Sequence, residues 1–215
     1  MSNLFVWDFH GVLEEGNERA VLDNSNNILE SLGYKERFNQ KDIDSLYGKK
    51  WREYFEYLLP GRGEEEYLHL EKSCVEYGLN HREAIFEHIS PTAHSYEVLE
   101  KILEAGHSQI LISNCGENSL RLFLDSVQIR SYFPNGNAFA ANNGDGKSKR
   151  NILEDYLQGK EFDKIVSIGD SPGDVEIVSG IPNGVSFLYS HPGKTFRDCD
   201  PDYKIKDLRN VLREV

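Results

Sequence analysis

Leu4-Phe5-Val6-Trp7-Asp8-Phe9-His10-Gly11-Val12-Leu13 is the stretch on which the reading of this chain turns. It begins with an apolar run of the length and composition of a strand buried on both faces, as in a parallel sheet. The run breaks at an aspartate, which places a carboxylate at the carboxyl end of a core strand. Ligands of open α/β sheets bind at that edge. Counting Leu4 to Phe9 as the first such run, three more follow: Gln109 to Ser113, Ile165 to Ile168 and Val185 to Tyr189. Helical patterns lie between them. Tyr96 to Ala105 puts Val98, Leu99, Ile102 and Leu103 on one face, with Gly106 as its stop. Leu120, Phe123 and Leu124 mark a second helix, and Ile152, Leu153, Tyr156 and Leu157 a third. This alternation predicts an α/β fold: a Rossmann-like, doubly wound parallel sheet.

Residues 14 to 92 break the rhythm. They read as helical, through Ile28, Leu29 and Leu32, then Trp51, Tyr54, Phe55 and Leu58, then Leu68 to Tyr77, with Pro60-Gly61 and Gly63 as punctuation. The expectation is a core of residues 1–13 and 93–215 with an α-helical cap domain, residues 14–92, inserted after the first strand. Such a cap is expected over the carboxyl ends of the strands. Trp51, Tyr54 and Phe55 stand at helical spacing and are expected in its core.

The chain of 215 residues is long enough for a core and a small insertion. It has 24 Lys and Arg against 36 Asp and Glu, a formal net charge of -12. With no run of Lys or Arg, that charge argues against nucleic acid and anionic membranes as partners. A small anionic substrate then needs a metal and a few local cations. Cys74, Cys115 and Cys199 have no paired spacing and read as reduced thiols of a cytoplasmic protein. No signal-peptide pattern and no stretch of about 20 apolar residues is present.

Three of the expected strands end in useful polar groups: Asp8-Phe9-His10-Gly11, Ser113-Asn114, and Gly169-Asp170-Ser171-Pro172-Gly173-Asp174. Strand ends converge at one edge of the sheet, so these groups can meet. Carboxylates gathered there cannot all stay ionised and unpaired. A hard, oxygen-preferring cation such as Mg²⁺ resolves the repulsion. The last segment also reads as a helix start, with Ser171 as N-cap, Pro172 at the first helical position and Asp174 as capping partner.

The ensemble resembles the haloacid dehalogenase superfamily, and within it the phosphoglycolate-phosphatase-like members with a helical cap. Trp7-Asp8-Phe9-His10-Gly11-Val12-Leu13 is similar to its first motif, and Leu111-Ile112-Ser113-Asn114 to its second. Ser148-Lys149-Arg150-Asn151-Ile152-Leu153 is similar to the third, and Gly169-Asp170 with Asp174 to the fourth. The four stand in the family's order and span essentially the whole chain. The resemblance implies a Mg²⁺-dependent phosphatase acting on a small phosphorylated metabolite. Asp8 becomes the nucleophile that forms an aspartyl phosphate. Asp8, the His10 backbone carbonyl, Asp170 and Asp174 become the metal-holding group, Asp174 through the metal's waters. Ser113 and Asn114 bind phosphoryl oxygens, and Lys149 neutralises charge on the phosphoryl group and Asp8. Lys147 competes for the lysine role, and the position of Leu153 favours Lys149. Gly48, Lys49, Lys50 and Arg52 are either a substrate-contacting loop of the cap, with Lys49 and Arg52 as binding residues, or a solvated face.

One position departs from the pattern. The family's phosphatases usually carry Asp two residues after the nucleophile, where it protonates the leaving alkoxide and then activates water. Here that residue is His10, which is capable of both transfers near neutrality. Relatives that cleave C–P or C–halogen bonds also lack that Asp. Asp170 and Asp174 argue against the metal-free dehalogenase branch. Lys49 and Lys50 keep open a phosphonate-cleaving branch that uses a cap lysine, and a phospho-ligand binder without turnover is the further alternative.

Overall fold

The computed structural model describes residues 2–46, 49, 51–142 and 146–215, with backbone alone at residues 43–45 and 84. It divides into two compact units, Met1–Glu15 with Pro91–Val215, and Gly16–Ser90.

The first unit is built on a six-stranded sheet. In chain order its strands are Leu4–Trp7 (β1), Ser108–Ser113 (β2), Ala138–Ala140 (β3), Ile165–Gly169 (β4), Gly184–Tyr189 (β5) and Tyr203–Ile205 (β6). Their spatial order is β3-β2-β1-β4-β5-β6 and every pair is parallel. The fold is therefore the Rossmann-like α/β arrangement that the alternating pattern predicts. β1 is buried along its whole length, which explains why its sequence is continuously apolar. The edge strands β3 and β6 are three residues long and mostly half-buried, so no comparable apolar run announces them.

Register positions the candidate site. Trp7 pairs with Leu111 of β2 on one side and with Ile168 of β4 on the other. The three central strands thus end level, and Asp8, Ser113 and Asp170 leave the sheet at one edge. Phe9 lies beyond the end of β1, where the backbone turns. The Phe9 carbonyl accepts from the backbone N–H groups of Val12, Leu13 and Glu14 at 3.3, 3.0 and 3.3 Å.

Helices return the chain to the sheet. Ser95–Glu104 buries Val98, Leu99 and Ile102, and Gly106 follows at φ 79, a left-handed conformation that glycine adopts without strain. Glu117–Ser126 buries Leu120, Leu122, Phe123 and Leu124. Lys149–Leu157 starts on a capping box in which the Ser148 hydroxyl accepts from the Asn151 N–H at 3.1 Å.

The second unit is helical: Asn17–Ser31, Gln40–Leu46, Trp51–Leu58, Glu64–Asn80 and the short Arg82–Phe86. Its core gathers Leu29, Phe38, Leu46, Phe55 and Leu70 around the buried Cys74 thiol. Tyr54 and Phe55 are buried, and Trp51 packs beside them while donating its indole N–H to Ser25 Oγ at 2.8 Å. These aromatics therefore build the unit's interior.

Candidate active site

Three carboxylates meet at the edge where the central strands end. Oxygen atoms of Asp8, Asp170 and Asp174 all lie within 4.8 Å of one another. Asp8 follows β1 directly, its N–H held by the Ile168 carbonyl at 2.9 Å. Asp170 follows β4. Asp174 is brought back by the first turn of the helix Pro172–Glu176, where its Oδ2 accepts from the Ser171 N–H at 3.2 Å and from the Ser171 hydroxyl. Gly169 makes this return possible, because a Cβ there would stand 2.0 Å from the Asp174 Cβ.

Two cations face the three carboxylates. Lys149 Nζ donates to Asp8 Oδ1 and to Asp174 Oδ1, each at 2.7 Å, with its side chain 10% exposed. Lys147 lies on the surface and pairs with Asp155 at 2.7 Å. Of the two lysines, Lys149 stands at the carboxylates and Lys147 on the surface. Arg197, from the loop after β5, donates to Asp170 Oδ2 at 3.1 Å.

Burial and crowding set the protonation of the group. Burial, then the charge of Asp174, raises the Asp8 carboxyl, against the opposing pull of Lys149. Burial and the charge of Asp8 push Asp170 up to about 7, against the pull of Arg197. Burial disfavours the Lys149 cation, but the charges of Asp8 and Asp174 outweigh it and hold the ammonium protonated well above its usual range. Among the described residues, two cations against three carboxylates leave one negative charge when all are ionised. The donors are oxygen throughout, so the set fits a hard divalent cation such as Mg²⁺.

Ser113 adds a hydrogen-bond donor. Its hydroxyl is fully buried at the end of β2 and has no partner among the described residues. An unpaired buried hydroxyl is costly unless a ligand completes it. Asn114 follows, exposed.

His10 is half-buried in the loop after β1. Its Nδ1 lies 2.9 Å from Glu14 Oε1, and its ring stands edge-on to Phe123 and Phe9, with centroids 4.6 and 5.0 Å away. Burial pulls its pKa down, but hydrogen bonds to Cys115 and Glu14, with their charges, push it up to about 10.

The helical unit holds the remaining sequence candidates. Lys49 is exposed on a bend, and Gly48 and Lys50 lie outside the described residues. Arg52 is paired with Glu56 at 3.1 Å and with Glu64 at 2.5 Å.

Three residues at the site escape a sequence reading. Glu14 carries one available signal, a charge four residues after His10 that directly follows the apolar Val12-Leu13. Cys115 lies two residues past Ser113 with no paired spacing. Arg197 lies on a loop without periodicity and carries no signal.

Residues 5–188 match a family model described as haloacid dehalogenase-like hydrolase. No curated protein matches the chain in sequence. Among solved structures, a protein named "Putative Phosphatase" from Clostridium difficile is 18% identical over 99% of this chain and 97% of its own, with a TM-score of 0.78. A protein named "predicted phosphoglycolate phosphatase" from Haemophilus somnus is 14% identical, covering 98% of this chain and 96% of its own, with a TM-score of 0.76. A HAD family hydrolase from Deinococcus radiodurans, with bound phosphate and sodium, is 14% identical over 98% and 93%, with a TM-score of 0.66. At these identities the likeness is one of fold.

Proposed function

The chain belongs to the haloacid dehalogenase-like hydrolases, and on that premise we propose that it is a Mg²⁺-dependent phosphatase of small phosphate monoesters that works through an aspartyl phosphate on Asp8. The observation that carries this reading is the convergence of Asp8, Asp170, Asp174 and Lys149 at one sheet edge, with the Ser113 hydroxyl, unpaired among the described residues, closing the adjacent strand. In it, Asp8, Asp170, Asp174 and the His10 carbonyl would hold the cation, which would supply charge neutralisation for the phosphoryl oxygens.

The chain's own residues do the rest. Lys149 holds Asp8 Oδ1 and so orients the carboxylate, leaving the second oxygen to attack phosphorus. As the P–O bond to the alcohol breaks, the His10 imidazolium gives its proton to the departing oxygen. Neutral His10 then takes a proton from water, which attacks the same phosphorus and releases phosphate and the Asp8 carboxylate. Ser113 and Lys149 donate to the oxygens on which charge is spread in both transfers. An Asp at residue 10 is thus replaced by a group able to act in both directions.

The test is phosphate release from a panel of small phosphate esters with and without Mg²⁺, beside the Asp8→Asn protein. Metal-dependent release that disappears on the Asp8→Asn substitution is the expected result. Undiminished release by the variant, or none by the wild type from any ester, overturns the reading.

A further inference from the structure

Glu14 is the most deeply buried carboxylate of the strand-end region, and the reaction described above does not use it. Its side chain is 1% exposed. Oε1 accepts from the Gly11 N–H at 3.2 Å and faces His10 Nδ1 at 2.9 Å. Oε2 is buried without a partner among the described residues. A fold gains nothing in packing from a charge in such a place, since a glutamine or an apolar residue fills the same space at lower cost. The cost is intelligible if the carboxylate has work to do on the imidazole.

The loop is shaped for that contact. Three successive backbone N–H groups, from Val12 to Glu14, close onto the Phe9 carbonyl, which winds the chain into one turn and brings residue 14 beneath residue 10. Phe9 and Phe123 wall the ring on its apolar sides. Cys115, two residues past Ser113, also hydrogen-bonds the ring, so the ring lies between Glu14 and the end of β2. The Glu14 oxygen is the acceptor in this contact, as it is for the Gly11 N–H, so the hydrogen between Glu14 and His10 sits on Nδ1. With Nδ1 engaged by Glu14, the contact to Cys115 falls to Nε2, which makes Nε2 the nitrogen available to exchange a proton at the end of β2.

We propose that Glu14 is the positioning residue of the proton-transfer step: by engaging Nδ1 it locks the His10 imidazole in orientation and tautomer, with Nε2 turned to the Cys115 side at the end of β2, where the departing oxygen would meet it. The proposal rests on the phosphatase reading and goes beyond it by naming the group that makes His10 competent. The arrangement is that of a base whose orientation and tautomer are set by a buried carboxylate.

The experiment compares kcat/KM for an alkyl phosphate and for p-nitrophenyl phosphate in the wild type, Glu14→Gln, His10→Ala and the double variant. This ratio reports only the steps up to loss of the alcohol. The water-activation step, common to both esters, does not enter it. p-Nitrophenolate departs without a proton, whereas an alkoxide needs one. Glu14→Gln is expected to lower the alkyl ester's kcat/KM roughly tenfold to hundredfold, and that of p-nitrophenyl phosphate less than about threefold. On the His10→Ala background the same substitution is expected to add nothing further. Equal losses for both esters, or a full additional loss on that background, overturn the proposal and make Glu14 a structural residue. A long-range ¹H–¹⁵N spectrum of the His10 ring gives a readout that needs no turnover. The wild type is expected to show a persistent Nδ1–H that Glu14→Gln disturbs, and an unchanged signal overturns the proposal. If the wild type hydrolyses neither ester, the phosphatase reading fails, and the imidazole signal still decides whether Glu14 holds the ring.

Discussion

Replacing Asp170 by Asn is predicted to stabilise the metal-free protein while removing its function. Asp170 is 8% exposed, and its carboxyl is pushed from 3.8 to about 7, first by burial and then by Asp8. Keeping it ionised in the fold therefore costs ~4 kcal/mol at pH 8. Asn carries no charge and still accepts from Arg197 through its carbonyl, so the loss on that side is about 1 kcal/mol. The net gain is about 3 kcal/mol, or a rise in Tm of roughly 6–12 °C for a chain of this size. The sign follows from linkage. A raised carboxyl contributes stability that is complete below 3.8 and is lost as pH rises through about 7. The advantage of Asn over Asp is thus full at pH 8 and falls to about 1 kcal/mol or less by pH 4.5. The assay is scanning calorimetry of both proteins in EDTA at pH 4.5 and 8, followed by Mg²⁺ addition. Mg²⁺ is expected to raise the Tm of the wild type and to leave Asp170→Asn nearly unmoved. A variant no more stable than the wild type at pH 8, or a difference independent of pH, refutes the claim that this carboxylate is held against its own electrostatics.

Three further outcomes follow from the same geometry. Ser113→Ala removes a buried hydroxyl with no partner among the described residues, so its stability should be unchanged or about 1 kcal/mol higher, while turnover falls roughly tenfold to hundredfold. A loss of stability instead would show that the hydroxyl has a structural partner. Gly169→Ala puts a Cβ 2.0 Å from that of Asp174; it should cost about 2 kcal/mol or more and weaken Mg²⁺ binding, and an unperturbed variant in calorimetry would refute the close approach. The apparent Mg²⁺ affinity should rise by about tenfold per pH unit up to about 7 and flatten above it, because the cation must displace the Asp170 proton; a flat profile from about pH 5.5 to 8 contradicts this.

What the sequence reveals follows the physics of burial. β1, β2, β4 and β5 are legible because parallel strands covered on both faces must be apolar along their length. Asp8, Ser113 and Asp170 are legible because each interrupts or closes such a run, and the parallel register brings those ends level. Lys149 is legible as the first residue of a capped helix. β3 and β6 are not, since a three-residue edge strand needs little apolar content. Glu14 and Arg197 reach the site through loops, and loop paths leave no period in the sequence. Arg52, a cation in a promising segment, is paired with Glu56 and Glu64, and partners of that kind leave no mark in the local sequence pattern.

The pairing of His10 with Glu14 also bears on why a histidine is tolerable two residues after the nucleophile. A carboxylic acid at that position passes between charges of 0 and −1 as it gives up its proton and takes one back. A lone histidine passes between +1 and 0, which would alter the field at phosphorus at every stage. An imidazolium bound to a buried carboxylate carries 0, and after giving up its proton the pair carries −1. On the reading proposed here, His10 and Glu14 together reproduce the charge states of the single acid they replace. Lys149, Ser113 and the three carboxylates then need no compensating change. The same carboxylate, with Cys115, holds the imidazole protonated up to about 10, so the acid form is the resting form at neutral pH. The exchange therefore reads as a two-residue substitution, in which an imidazole and a buried carboxylate together stand where a single carboxylic acid would.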